Sequence, residues 1–166
     1  MLYQVIYYGL ARSWPSFLGG CKFRYWLGKR IFTKLGTGSK VSSGVAFGKG
    51  RQIEVGLNSA IGLDCKIYMG SAKLIIGDDV MIGPDVMFIG TSHEYSLRSI
   101  PMRKQPTYAK DIIIGNNVWI GARSIVLCGI QIGEGSVIAA GTVVNKDVTS
   151  NVVVGGEPFK IIKCLE

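Results

Sequence analysis

One histidine in 166 residues, four scattered cysteines and no acidic residue before Glu54 set the limits of this sequence. A single histidine cannot supply the roughly three imidazoles of a catalytic zinc centre within one chain, which removes a zinc hydratase, and no metal is expected. Cys21, Cys65, Cys128 and Cys164 form no Cys-x-x-Cys pair. Idle thiols in a reducing cytosol are therefore the expectation. No apolar run approaches the ~18–20 residues of a membrane span. Leu18-Gly19-Gly20-Cys21 has the outline of a lipoprotein processing site. Arg12 interrupts the apolar stretch before it, and no basic residue precedes that stretch, so lipidation is not expected. Threonine is scarce at repeat positions, which removes an ice-binding solenoid.

The chain has the length of one domain. Its 48% hydrophobic and 18% charged residues exclude a disordered chain. Its 23 glycines are spread along the sequence rather than bunched into a linker. With plentiful valine and isoleucine, they predict an all-β, turn-rich fold.

Every sixth residue from Ile114 is aliphatic: Ile114, Ile120, Val126, Ile132, Ile138, Val144. A small residue usually follows, as at Gly115, Gly121, Gly133 and Ala139. Upstream, Val55-Gly56, Ile61-Gly62 and Ile67 keep the step, as do Ile76-Gly77 and Ile82-Gly83. Val41, Phe47 and Ile53 repeat it in shifted phase. This period is neither helical nor simple strand alternation. It fits short strands joined by tight turns, three to a coil, with coils stacking roughly 4.8 Å apart into three parallel sheets. Glycine or alanine beside the inward residue is expected to let the chain turn tightly without a Cβ clash.

Phe88 and Ile114 are 26 residues apart where six would keep the register. A loop at about 89–111 is therefore extruded, carrying His93, Arg98, Pro101, Arg103, Lys104, Pro106 and Tyr108. Insertions in repeats map to binding faces. Residues 1–40 differ in kind, with nine of the sixteen aromatics. Phe23, Trp26, Leu27 and Ile31 recur at helical spacing among Lys22, Arg24, Lys29, Arg30 and Lys34. Two readings stay open: a helical cap over the solenoid's end, or a basic amphipathic helix on an anionic membrane. Pro15 and Gly19-Gly20 separate a first helix, about 2–13, from a second. The nine basic residues before Glu54 hold the whole basic excess. Confined to this segment rather than striped along the prism, they do not suggest nucleic-acid binding.

The repeats, with Ile114-Gly115-Asn116-Asn117-Val118-Trp119-Ile120-Gly121-Ala122 and Val154-Gly155-Gly156-Glu157-Pro158-Phe159-Lys160, resemble the hexapeptide-repeat acyltransferases. Within them the chain is most similar to the galactoside, maltose and colanic-acid O-acetyltransferases. The resemblance runs over about 41–163 and implies a left-handed parallel β-helix over 41–166. It also implies a bacterial homotrimer with active sites between adjacent prisms, using acetyl-CoA. His93 falls at the family's catalytic histidine. Ala122 and Ala140 would meet the pantetheine arm, Asn145 and Lys146 would lie farther along the groove, and Lys160 and Lys163 would meet the nucleotide phosphates. Asp64 and Ser71, with Asp85, stand where an acceptor sugar would bind, but Leu63 departs from the polar pattern there. The acidic residue that those enzymes aim at their sugar from the N-terminal segment has no counterpart.

A histidine suits acyl transfer because its ordinary pKa near 6.5 allows it to take the hydroxyl proton and return it to the departing thiolate. Glu94, Asp85 or a backbone carbonyl would orient the ring, and backbone amides at the turns would hold the oxyanion. A thiolate route through Cys65 or Cys128 is the competing mechanism. Trp119 would wall the channel or fill a subunit contact. Arg98, Arg103, Lys104 and Lys110 form a solvated face or bind an acceptor phosphate. The expected function is O-acetylation of a saccharide hydroxyl in surface polysaccharide synthesis, with N-acetylation of an amino sugar as the alternative. The expected location is the cytoplasm, with residues 1–36 either free of the inner membrane face or resting on it.

Overall fold

The computed structural model describes residues 1–165; Glu166, the last residue of the expected coil domain, lies outside the described residues. Strands of two to four residues recur at the aliphatic positions, and the chain winds as a three-sided parallel β-helix. The first sheet stacks Lys34–Leu35, Ile53–Val55, Leu74–Ile76, Ile112–Ile114 and Gln131–Ile132. The second stacks Lys40–Val41, Ala60–Ile61, Met81–Ile82, Trp119–Ile120, Val137–Ile138 and Val152–Gly155, with Lys160–Cys164 antiparallel at its far edge. The third stacks Ala46–Phe47, Lys66–Tyr68, Met87–Ile89, Ile125–Val126 and Val143–Val144.

One ladder of side chains fills the prism behind each sheet. Val41, Ile61, Ile82, Ile120, Ile138 and Val154 lie one above another behind the second sheet, all buried. Phe47, Ile67, Phe88, Val126 and Val144 do the same behind the third. Buried hydroxyls bond across coils: Ser39 Oγ donates to the Gly56 carbonyl at 2.7 Å, and Ser59 Oγ to that of Gly77 at 2.7 Å. Burial of these polar groups therefore leaves no donor without a partner.

The small residue after the inward side chain avoids a Cβ clash, as expected, but it does not itself make the turn. At Gly121 the need is close approach, because a Cβ there would stand 2.8 Å from Ala140 Cα and from the Ile138 carbonyl oxygen. The left-handed turn comes two residues later, at Asn58, Asp64, Asp79, Asp85, Asn117 and Arg123. Asn and Asp tolerate that backbone region because their short side chains can bond locally. Arg123 has no such excuse and sits there at φ 59°.

The first coil begins earlier than the expected boundary at 41. Lys34–Leu35 already pairs with Glu54 and Val55 in the first sheet. Leu35-Gly36 lies one six-residue step before Val41 and was the signal for it. The helical segment therefore ends at Ile31. Helix α1 (Leu2–Gly9) stops short of residue 13, and two tight turns at Ala11–Ser13 and Ser16–Leu18 lead to α2 (Gly20–Ile31). Gly19, at φ 82°, makes the bend before α2.

Helix α2 covers the open end of the prism with Leu27 and Ile31. Arg24 is wholly buried beside them. Its guanidinium donates to the carbonyls of Val41 (2.9 Å), Ala11 (3.0 Å) and Trp14 (2.6 Å) and to Ser16 Oγ (2.8 Å). One side chain thus ties both turns and α2 to the first coil. No helix among the described residues is long and apolar enough to cross a membrane. Arg24→Met keeps the bulk but strands the Val41 and Trp14 carbonyls, since that of Ala11 keeps the Trp14 amide, at about 1–3 kcal/mol for each one left unsatisfied. The expected outcome is a lower thermal midpoint with early proteolysis before residue 34, read by calorimetry and limited digestion.

Candidate active site

The excursion leaves the prism after Met87–Ile89 and returns at Ile112–Ile114, so it springs from the corner between the third and first sheets. Its base is a two-stranded antiparallel ribbon in which Thr91, Ser92 and His93 face Ala109, Tyr108 and Thr107. The Lys110 amide donates to the Gly90 carbonyl at 3.0 Å, and the Glu94 amide to that of Pro106 at 2.9 Å. Beyond the ribbon, the buried Gln105 side chain donates to the Leu97 and Ile100 carbonyls at 2.9 and 2.8 Å. It folds the outer loop back on itself and holds the ribbon's far end in one shape.

His93 is exposed on this ribbon. Neither expected carboxylate bonds its ring. Asp85 belongs to another corner, where its Oδ1 lies 3.4 Å from Lys66 Nζ. Thr91 and His93, two residues apart on one strand, share a face about 7 Å apart. Thr91 also lines a cavity of about 370 Å³ with Gln52, Tyr68, Met69 and Gly70. The half-exposed Tyr68 ring gives this cavity an aromatic wall. Ser71 follows Gly70 on the same corner and is exposed. The sequence reading did not single out Tyr68 and Thr91. Strand alternation marked both, since Tyr68 follows the inward Ile67 and Thr91 is two residues before His93.

The other expected residues fall at two places. Asp64, Asp85, Ala122 and Ala140 stack on the corner between the second and third sheets. Asp64 and Asp85 are its left-handed turn residues. The Ala122 and Ala140 amides have no acceptor among the described residues, while the Ala122 carbonyl accepts from Gly141 at 2.8 Å. Asn145 and Lys146 instead share the His93 corner, two coils along. There Lys146 Nζ lies 5.1 Å from the Phe159 ring centre, and Lys146 and Lys160 line a cavity of about 250 Å³. Lys163 pairs with Val153 on the last strand and does not line that cavity. The expected site residues therefore fall on different corners, and one chain does not bring His93 to Ala122 and Ala140.

Three comparisons bear on this geometry. A family profile described as the hexapeptide repeat of succinyl-transferase matches residues 111–146. Galactoside O-acetyltransferase of Escherichia coli is 36% identical over 137 residues, 81% of this chain and 65% of that protein. A hexapeptide-repeat-containing acetyltransferase of Vibrio cholerae, solved with acetyl-coenzyme A, has a TM-score of 0.81. It is 36% identical over 87% of this chain and 78% of that one. This chain belongs to the hexapeptide-repeat acetyltransferases. A galactoside acetyltransferase solved with coenzyme A matches 99% of this chain and 80% of its own at TM-score 0.86 and 33% identity. The left-handed β-helix and its helical N-terminal segment are thus shared features. The chain spans about half to two-thirds of the length of the curated relatives it matches.

Of the two thiols in the competing route, Cys65 is buried and does not suit nucleophilic work, while Cys128 is partly exposed. Cys65 Sγ lies 3.2 Å from the Gly83 carbonyl oxygen, and burial pushes its pKa up to about 11. At neutral pH it is a thiol, and a thiolate is what attack requires. Cys65→Ala is expected to leave turnover within about twofold of the native rate, as for a small core residue. A loss comparable with that of a missing nucleophile would restore the covalent route.

Proposed function

We propose that this chain is an acetyl-CoA-dependent O-acetyltransferase that acetylates a saccharide hydroxyl with His93 as base, in the assembly of a surface glycan. The observation that carries the reading is His93 at the base of the one excursion, sharing a strand face with the wall of a sugar-sized cavity. A hexose held against Tyr68 and Thr91 reaches His93 with a hydroxyl over about 7 Å, two residues of strand. His93 accepts that proton as the oxygen attacks and passes it to the departing sulfur. Acetyl-CoA supplies the thioester. The residues present fit it: the Ala122 and Ala140 amides are free for its amide arm, and Lys146 and Lys160 for its phosphates.

The same geometry supports a homotrimer. If the His93 corner of one copy meets the Ala122 corner of the next, both half-sites share one groove, and three copies close into three grooves. Met81 and Trp119, exposed apolar side chains on the outer second sheet, supply self-association surface. On this reading the protein also works beside a membrane, through residues 1–36, where glycan acceptors are lipid-linked.

His93→Ala is expected to lower turnover by about two to four orders of magnitude, the usual worth of a general base, with acetyl-CoA affinity unchanged by calorimetry. Turnover that survives the substitution would remove His93 from the chemistry. The shared groove has a separate test. Co-expressed His93→Ala and Ala140→Asp chains, each inactive alone, are expected to regain activity in mixed trimers, with about one groove in four intact. No recovery in trimers of proven mixed composition would place both halves of the site in one copy.

A further inference from the structure

Helix α2 has two unlike faces. Gly20, Arg24, Leu27, Gly28 and Ile31 are buried on the prism side. Phe23, Trp26 and Arg30 recur at i, i+3 and i+7 on the other. There they join side chains from both neighbouring segments. Ring centres run from Trp14 to Phe23 at 6.1 Å, from Phe23 to Trp26 at 6.1 Å and from Trp26 to Tyr3 at 5.9 Å. The Arg30 guanidinium lies 4.0 Å from the Trp26 ring centre. This aromatic ridge opens to water at Trp14, 43% exposed, and Trp26, 44% exposed, while Phe23 between them is partly buried against the core. Leu2, Val5, Leu10, Phe17 and Leu18 stand exposed in the same segment, Phe17 at 87%.

No acid offsets the cations here. The ion pairs among the described residues are Lys66–Asp85 and Lys73–Glu54, so none of the nine basic residues before Glu54 takes part in one. Even the buried Arg24 is satisfied by carbonyls and a hydroxyl.

We propose that the Trp14–Phe23–Trp26–Tyr3 ridge, with Phe17 and Leu18, seats the protein on an anionic lipid surface. Trp and Tyr favour the headgroup level, aliphatic side chains enter the acyl boundary, and Lys and Arg meet the lipid phosphates. A nucleic acid would use the rings and the cations but leave Leu2, Val5, Phe17 and Leu18 in water. A protein partner would not call for a segment free of acid. The inference rests on the proposed glycan transfer for its purpose alone, because docking is read without turnover.

The test is co-sedimentation of the intact protein with vesicles of phosphatidylcholine alone or mixed with phosphatidylglycerol. Binding is expected only to the mixed vesicles and is expected to weaken as salt rises. Phe17→Ser with Leu18→Ser, both exposed, is expected to cut binding by about tenfold or more, as the loss of two inserted side chains implies. Lys22→Glu with Lys29→Glu gives a second variant in which the apolar surface is intact, and it too should lose binding. Equal binding to both vesicle types overturns the proposal, as does native binding by both variants. Failure of the native protein to pellet, with an altered oligomer mass for the Phe17/Leu18 variant, also overturns it and makes the ridge a subunit contact. Vesicle binding by a protein without acetyl transfer would sink the enzymatic reading alone.

Discussion

The stacking of one coil on the next governs everything else in this molecule. Each coil is too narrow to bury its own aliphatic side chains, so Ile120 is dry only because Ile82 and Ile138 lie beneath and above it. The spacing of about 4.8 Å between strands leaves no room for a Cβ where backbones meet at the corners. Gly121 is there for that reason. The interior is therefore committed, and new chemistry can enter only where the chain leaves the prism or where the prism ends. His93 stands at the first opening, and the N-terminal helices and the Phe159 hairpin lie at the second.

This division explains what the sequence disclosed. A periodic interior writes itself plainly, and the three sheets, their inward ladders and the excursion before Ile112 could all be read from aliphatic spacing. The edges could not. The coil at Leu35 was hidden because helical residues run almost up to it, and a six-residue step carries little weight once it has only one neighbour. Turn chemistry was misplaced by two residues, since the glycines that catch the eye answer to the coil above while Asn and Asp make the bend. Asp85 illustrates the cost. As a carboxylate near the loop in sequence it suggested a partner for His93, yet two residues of corner turn it toward Lys66. The cavity wall at Tyr68 was equally hard to see, because one outward aromatic looks like any other surface residue until the ribbon stands beside it.

The N-terminal segment shows how one helix can cap the prism and still leave a second face for the proposed lipid contact. A solenoid must be closed at its end, and α2 meets that need with Leu27, Ile31 and the buried Arg24. Cap and membrane contact looked like rival uses of one amphipathic stripe. They are separable, because the buried stripe takes Leu27 and Ile31, while Trp26 turns outward to Tyr3 and Phe23, partly buried, links it to Trp14.

The placing of the proposed site residues on two corners follows from the same geometry. Any residue set by the six-residue period returns to its own corner every third strand, so amides stacked like those of Ala122 and Ala140 form a rail along one edge and cannot cross to another. His93 stands on a different edge, held by a ribbon whose shape is fixed by Gln105 and not by the coil. Within one copy the third sheet lies between the two corners and keeps them apart. In the proposed trimer rotational symmetry would close that gap without motion, because each copy offers both edges and each edge would meet its complement on a neighbour. On the proposed reading, catalysis then depends on assembly as directly as on His93, and the rigidity that the stacked coils require becomes the means of positioning the reacting groups.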